Sequence, residues 1–547
     1  MSSKLSIYRA GKLIIETNSV QGETLLERLG AEGLFLDAPC GGQGKCGKCL
    51  VKLSPGGEEV LACRTHIEGD MSVYLPEAMD MKIADGGGSE SGADGAAAAA
   101  KGKNGGAAKA KASAGSGSSK TADARRGARK SAAAGKLGVA VDIGTTTVVA
   151  HLTDMNTGER LATASGVNAQ RLYGSDVISR IQYCAENGHD VLTRLIREQL
   201  SGLISEACEA AGAKIGKVRH IAIAANTIME HLAAGYSPVG MGVVPFTTVS
   251  LFGEELAAEG VPGVAEDAKI YYAPAISSYV GGDITAGMLA AGLEGMTEPT
   301  VYLDIGTNGE IAFKLGDKYY CCATAAGPAF EGAEISMGMA AVSGAINHVK
   351  WDGGLMASVI GAAGARGLCG SGLLDALSVL LETGAVDESG RLLGADEIEH
   401  DISKHIGVVD GANAFFPAPG SDVHMTASDI RKLQLAKSAI AAGIQTLLHH
   451  VGVAEADVKH FILAGGFGSF MDKHSAARIG LFPGSFLPVA QTLGNTAGEG
   501  AALMLSSHAA RVTLSDIRER CEYIELSSSP VFNEQFVEQM TFEADHL

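Results

Sequence analysis

The chain has 547 residues, several times the roughly 100–200 of an ordinary domain, so two or more domains are expected. It is 46% hydrophobic, and 43 Lys+Arg against 62 Asp+Glu leave a net charge of −19, a balance that argues against a general nucleic-acid or anionic-membrane binder. Nowhere do 18 apolar residues run together, and the polar start MSSKLSIYRAGK lacks a signal-peptide core. A cytoplasmic protein without membrane or nucleic-acid partners is therefore expected.

The first predicted element is a β-hairpin over LSIYRAGKLIIET, turning near Ala10-Gly11. Glu23 to Leu29 has a short helical pattern with Leu25, Leu26 and Leu29 on one face. Strand-like runs follow at Cys49–Leu53 and Met71–Leu75. Residues 1–82 thus read as a small β-sheet folded over one helix.

Ten Cys are too few for a disulfide scaffold, yet four fall in this segment as Cys40-x5-Cys46-x2-Cys49-x13-Cys63. Three thiolates from one loop and a fourth from a nearby strand end can fill the four ligand positions of a [2Fe–2S] cluster. Glycines 41, 42, 44 and 47 suit a loop wrapped round a cluster, whose bare N–H groups donate to sulfur. Structural zinc more often shows two close Cys pairs or a Cys pair with a His pair, so the three-plus-one grouping favours [2Fe–2S] over zinc or unligated thiols. The other six cysteines read as packing residues.

From Gly86 to Gly135, 17 Ala, 12 Gly and 7 Ser occur with no larger aliphatic residue. Such a stretch cannot bury enough apolar surface to offset its ordering entropy, so a disordered linker is expected over 83–136. It carries nine Lys/Arg and three Asp/Glu, a basic tether between acidic bodies.

Beyond it, strands and helices alternate in the manner of an α/β fold. VAVDIGTTTVVAHL at Val139–Leu152 and VYLDIGTNGEIAFK at Val301–Lys314 repeat one pattern of strand, Asp-Ile-Gly-Thr and strand, so two homologous halves are expected. A turn of this kind places backbone N–H groups and Thr hydroxyls around phosphate, with the Asp facing a magnesium ion. Further on, FILAGGFGSF at Phe461–Phe470 ends a strand in Gly465, Gly466 and Gly468, which lets backbone approach a base or ribose. Neither a convincing GxGxxG nor a P-loop is present.

On these motifs the segment from about Leu137 to Ser507 resembles the actin-like ATPases, the superfamily of acetate and sugar kinases, heat-shock chaperones and actin. The first phosphate motif would be Asp142–Thr147, the second Asp304–Glu310 and the adenosine motif Ala464–Asp472. The cysteine segment resembles the ferredoxin β-grasp fold. Together with the stretches VGGDITAGML, AAGPAFEGAEISMGM and GLCGSGLLD, the combination is similar to the reductive activators of corrinoid proteins. The resemblance implies an α+β ferredoxin-like β-grasp domain, a disordered linker, and an α/β actin-like ATPase fold with two duplicated subdomains. Their expected bounds are 137–300 and 301–520, with 521–547 as a C-terminal tail. Activators of this type carry a further small domain between ferredoxin and ATPase, where this sequence has only the Ala/Gly/Lys stretch.

The resemblance also implies the cofactors: a [2Fe–2S] cluster on Cys40, Cys46, Cys49 and Cys63, ATP, and Mg²⁺. Asp142 and Asp304 would hold hydrated Mg²⁺, with Asp283 of VGGDITA as a candidate for the same shell. Gly144, Thr145, Thr146, Thr147, Gly306, Thr307, Asn308 and Gly309 would cradle phosphates, and Glu310 is the candidate to orient the attacking water. Gly327 and Glu331 would face ribose or adenine, or serve only packing, while Gly465, Gly466, Gly468 and Ser469 would approach adenosine. The implied activity is ATP-dependent reduction of a cobalt(II) corrinoid to cobalt(I) for a methyltransferase system. The implied partners are the corrinoid protein and an upstream electron donor, and a homodimer through the ATPase is compatible with this. A redox-sensing scaffold and a small-molecule kinase are the alternatives, the latter giving no reason for an iron–sulfur domain.

Overall fold

A computed structural model describes residues 2–76, apart from 10, 21, 33, 35, 37–43, 45–48 and 56, and residues 136–542, apart from 469. The expected linker lies, up to residue 135, outside the described residues.

Strands β1 (Ser2–Arg9) and β2 (Lys12–Val20) form the expected antiparallel hairpin. Helix α1 (Leu25–Ala31) starts at a capping box: the Glu27 N–H donates to Thr24 Oγ1 at 3.2 Å and the Thr24 N–H to Glu27 Oε2 at 2.8 Å. Strands β3 (Leu50–Lys52), β4 (Glu59–Leu61) and β5 (Met71–Leu75) complete a sheet ordered β2-β1-β5-β3-β4, in which β1 and β5 run parallel. Leu25, Leu26 and Leu29 pack onto Leu5, Ile7, Val51 and Val73, which is the helix-over-sheet arrangement of a β-grasp.

The duplication is visible strand by strand. One sheet contains β6 (Leu137–Ile143), β7 (Thr147–Asp154), β8 (Arg160–Val167), β9 (Val218–Ala225), β10 (Glu255–Ala257) and β11 (Lys269–Tyr272), ordered β10-β11-β9-β6-β7-β8. The other contains β12 (Thr300–Ile305), β13 (Gly309–Leu315), β14 (Lys318–Thr324), β21 (His460–Ala464), β22 (Ala490–Thr492) and β23 (Cys521–Tyr523), ordered β22-β21-β12-β13-β14-β23. In each, an antiparallel three-strand meander carries the Asp-Ile-Gly-Thr turn, and a later strand returns parallel to the first: β9 beside β6, β21 beside β12.

The first sheet is covered by α2 (Val177–Asn187), α3 (Asp190–Ala210), α4 (Thr227–Ala234) and α5 (Gly282–Ala290). The second half is enlarged between β14 and β21. That insertion holds a sheet of β15 (Ala345–Trp351), β16 (Leu355–Val359) and β17 (Gly367–Leu368), and another of β18 (Ile406–Val409), β19 (Ala412–Phe415) and β20 (Met425–Thr426). It also holds α6 (Gly370–Glu382) and α7 (Ala427–Val451). After β21 come α8 (Gly465–Gly468), α9 (Lys473–Arg478), α10 (Thr496–Ser506), α11 (His508–Glu519) and α12 (Pro530–Glu538).

Two expectations from sequence change here. The chain does not divide cleanly at 300/301: Ala497, Ala501, Met504 and Leu505 of α10 pack onto Ala140, Ala222, Ala224 and Ala286 of the first half. Nor are residues 521–547 a mere tail. β23 pairs with β14, Phe542 is buried in the core of the second half, and Lys437 Nζ donates to the Thr541 carbonyl at 2.7 Å. Of the packing cysteines, Cys184, Cys208, Cys321, Cys322 and Cys369 are buried and Cys521 is half-buried. Among the described residues no helix is long and apolar enough to cross a membrane.

Candidate functional site

The two Asp-Ile-Gly-Thr turns come together in one cleft. Asp142 ends β6, and the following turn is closed by the Gly144 N–H donating to the Thr147 carbonyl at 2.8 Å. Asp304 ends β12, and there the Gly306 N–H donates to the Asn308 carbonyl at 2.9 Å. Glu331 bridges the two turns: Thr146 Oγ1 donates to Glu331 Oε2 at 3.1 Å and Thr307 Oγ1 to Glu331 Oε1 at 2.9 Å. Glu331 was expected at ribose or adenine, or in packing. Its carboxylate lies between the two Asp-Ile-Gly-Thr turns, at the end of the 3-10 turn Pro328–Glu331. Gly327 opens that turn at φ +75°, a left-handed conformation that other residues rarely adopt.

Four carboxyls share the cleft floor. Burial raises Asp142 to about 6, against an accepted hydrogen bond from Asn495 Nδ2 at 2.7 Å. Burial, then Asp142, raises Asp304 to about 7; burial, then Asp304 and Asp142, raises Asp283 to about 8. Glu310, opposite Asp304 in the strand register, is pushed well above the carboxylate range by burial and then by Asp283 and Asp304. Asp283 reaches the cleft because α5 seats tightly: a Cβ on Gly281 would run into the Asn226–Thr227 backbone, and one on Gly282 into Glu230. Among the described residues no three His, Cys, Asp or Glu side chains form a direct metal cage. Separated carboxylates beside a phosphate cradle suit Mg²⁺, which keeps several waters and binds through one or two carboxylates plus phosphate.

The glycine-rich strand end lies against the second turn. Gly465 has φ +85°, and a Cβ there would collide with Asp304 Oδ1 and the Ile305 backbone, so only glycine fits. Phe467 stacks on Phe330 with ring centroids 5.5 Å apart, joining this strand end to the Glu331 turn. Gly466 faces open space. Gly309 has a different role: a Cβ would meet Ile440 and Thr324, so it lets β13 pack beneath α7. Ser469 lies outside the described residues.

Several site residues were not anticipated. Asn226 caps α4 and donates from Nδ2 to Thr145 Oγ1 at 3.2 Å. Asn495 caps α10 while holding Asp142. Asn168, fully buried, donates from Nδ2 to the Gly144 carbonyl and from its backbone N–H to that of Thr146, both at 2.8 Å. Arg180, also fully buried, donates to the carbonyls of Thr145 and Gly174. Its sequence signal was an arginine on the apolar face of α2, in step with Val177, Ile181 and Cys184.

Of the cluster cysteines, Cys49 and Cys63 are described and Cys40 and Cys46 lie outside the described residues. Cys49 and Cys63 are buried just beyond the paired residues of β3 and β4, where the Ala62 N–H donates to the Cys49 carbonyl at 2.8 Å. Two buried thiols beside the β3–β4 ladder fit two of the four thiolates that a [2Fe–2S] centre takes.

Three family models match the chain. A 2Fe-2S iron-sulfur cluster binding domain matches residues 10–68, the RACo middle region 137–296, and the C-terminal domain of RACo, the ASKHA domain, 298–547. The segment after the Ala/Gly stretch, read as the first ATPase half, is thus the part this family calls its middle region. The corrinoid activation enzyme RamQ of Eubacterium limosum is 34% identical over 417 residues, 74% of this chain and 70% of its own. The [Co(II) methylated amine-specific corrinoid protein] reductase of Methanosarcina barkeri is 25% identical over 451 residues, 74% of this chain and 77% of its own. Among solved structures, a reductive activator for corrinoid, iron-sulfur protein aligns with TM-score 0.67 and 27% identity over 99% of this chain and 98% of that one.

Proposed function

Because the chain belongs to the family of reductive activators of corrinoid proteins, we propose that it couples ATP to one-electron reduction of a corrinoid cobalt(II), restoring the cobalt(I) that a methyltransferase system needs. The observation that carries this reading is the facing of two Asp-Ile-Gly-Thr turns across one cleft, in a chain that also holds an iron–sulfur domain.

A [2Fe–2S] cluster on Cys40, Cys46, Cys49 and Cys63 would supply a one-electron carrier, near about −400 mV in plant-type centres. Mg²⁺ held through water by Asp142 and Asp304, with Asp283 beside them, would neutralise phosphate charge. Thr145, Thr146, Thr307 and Asn308 bind the phosphate oxygens, and Glu310 orients the attacking water. Gly465, Gly466 and Gly468 let backbone approach the adenosine. Glu331 holds the two threonine hydroxyls that the terminal phosphate needs, so ATP closes the cleft by replacing a carboxylate with a phosphate.

Reducing a corrinoid cobalt(II) is harder than reducing such a cluster, so the electron moves uphill. A ligand shifts a two-state protein only by its differential affinity, and a 10⁴-fold preference is worth about 5.5 kcal/mol. ATP binding and hydrolysis are therefore assigned to switching the cleft and, with it, the corrinoid-protein complex. A cytoplasmic setting, an upstream electron donor and a homodimer through the ATPase belong to the same proposal.

The test mixes the reduced protein with a cobalt(II) corrinoid protein and follows the cobalt(I) absorbance with and without MgATP. ATP should accelerate its appearance many-fold; an ATP-independent signal would sink the coupling.

A further inference from the structure

Among the described residues the iron–sulfur domain meets the ATPase body at Leu172. Leu172 packs against the hydrophobic core of the first domain, alongside residues of α1 and its sheet. Gly30, in the last turn of α1, faces it so closely that a Cβ would fall within the Leu172 side chain. Glu27, on the same helix, lies near enough to Tyr173 for its charge, after burial, to raise that phenol. The rings of Tyr173 and Tyr183 pack with centroids 4.8 Å apart.

Leu172 closes the 3-10 turn Ala169–Leu172, and that turn is held to the first phosphate turn by an unbroken set of hydrogen bonds. Its cap, Asn168, grips the carbonyls of Gly144 and Thr146, and accepts from the Gln170 N–H at 3.0 Å. Arg180 grips the carbonyl between them, that of Thr145, and donates to Gln170 Oε1 at 3.4 Å. Three consecutive carbonyls of the phosphate turn are thus fixed to the seat of the iron–sulfur domain. The same turn carries the Thr145 and Thr146 hydroxyls, bonded to Asn226 and Glu331, that are assigned to phosphate.

We propose that Ala169–Leu172 with Tyr173 is a docking seat for the chain's own iron–sulfur domain, and that docking and nucleotide binding at the first phosphate turn are coupled. The second half of this rests on the ATP-binding reading above. A turn that rotates to meet phosphate moves its carbonyls, and Asn168 and Arg180 carry that movement into the seat. Coupling of this kind is reciprocal: whatever factor nucleotide applies to docking, docking applies to nucleotide affinity.

Hydrogen–deuterium exchange on the full-length holoprotein tests it, with Mg²⁺ and a non-hydrolysable ATP analogue present or absent. In the wild type, exchange over residues 25–31 and 169–173 should change at least threefold on saturation with the analogue. Leu172→Asp should undock the domain and remove the response of 25–31 while retaining the cluster absorbance. Its affinity for the analogue should differ from wild type by the same factor that nucleotide applies to docking. Gly30→Gln, a change on the other partner, should reproduce both effects. If the wild type binds the analogue and exchange over 25–31 does not move, the coupled seat is wrong and the ATP reading stands. If it binds no nucleotide at all, the ATP reading falls and takes this proposal with it.

Discussion

Glu331 brings a carboxylate to the point where two threonine hydroxyls converge, on the turns proposed to bind phosphate. At an effective dielectric near 20, unit charges a few ångström apart interact by several kcal/mol, so removing this one relieves a real repulsion. Glu331→Gln should therefore bind MgATP more tightly, by about three- to tenfold, equivalent to roughly 1 kcal/mol of the several available. Calorimetric titration checks it. Weaker binding would return Glu331 to the ribose or adenine contact read from sequence. The cysteines give a second contrast at this scale. Cys63→Ser removes one of four thiolates and should weaken or rearrange the cluster, seen as loss of visible absorbance. Cys208 sits buried on α3, where burial raises its thiol to about 11, and Cys208→Ser should leave the spectrum unchanged.

At the scale of elements, what sequence could reveal was whatever is local. The hairpin turns of Asp142 and Asp304, the glycine-ended strand β21 and the Cys spacing from Cys40 to Cys63 are short patterns whose chemistry depends on residues near in the chain. Asn495 is legible locally only as a helix cap, because its second partner, Asp142, is 353 positions away. The bridge from Glu331 to Thr146 was hidden for the same reason: the two lie 185 positions apart. The crossing of α10 onto the first sheet depends on alanines meeting alanines, a pattern without periodic signature.

An element-scale prediction concerns His231 on α4. Its Nδ1–H donates to the Thr227 carbonyl at 2.7 Å, which leaves Nε2 to accept from the N–H groups of Val249 at 3.2 Å and Ser250 at 3.4 Å. Tyr236 and Phe252 pack around the ring, and burial lowers its pKa below the ordinary 6.5. The folded chain thus refuses a proton that the unfolded chain accepts. The stabilisation is present above pH 6.5 and is lost as pH falls, by at most about 1.4 kcal/mol per pH unit. Thermal melts at pH 7.5 and 5.5 should show a smaller acid-induced drop for His231→Gln than for wild type. Equal drops would remove His231 as the cause.

The whole molecule has to satisfy two demands on its iron–sulfur domain: a seat at Leu172 and an approach to a corrinoid in another protein. A domain fixed at the seat could meet the second demand only if the corrinoid protein came to that seat. A long connection between the bodies meets both, and the 50 residues from Gly86 to Gly135, with 17 Ala and 12 Gly, have the composition for it. For a chain of that kind the span scales as roughly 5–6 Å × √n, about 40 Å here. Local concentration falls slowly with length once the sites can be spanned and collapses when they cannot. Replacing these residues by an equally long Gly/Ser chain should keep ATP-dependent cobalt reduction within about threefold. Cutting to about ten residues, roughly 35 Å at full extension and far less on average, should slow reduction sharply while ATP hydrolysis continues. Single-turnover cobalt reduction and steady-state ATPase rates, measured on the same preparations, separate the two. The nine Lys/Arg supply the rival explanation, docking onto an acidic partner. Were charge the requirement, the neutral Gly/Ser chain would itself abolish reduction at low salt, and wild-type activity would fall as salt screened the contact.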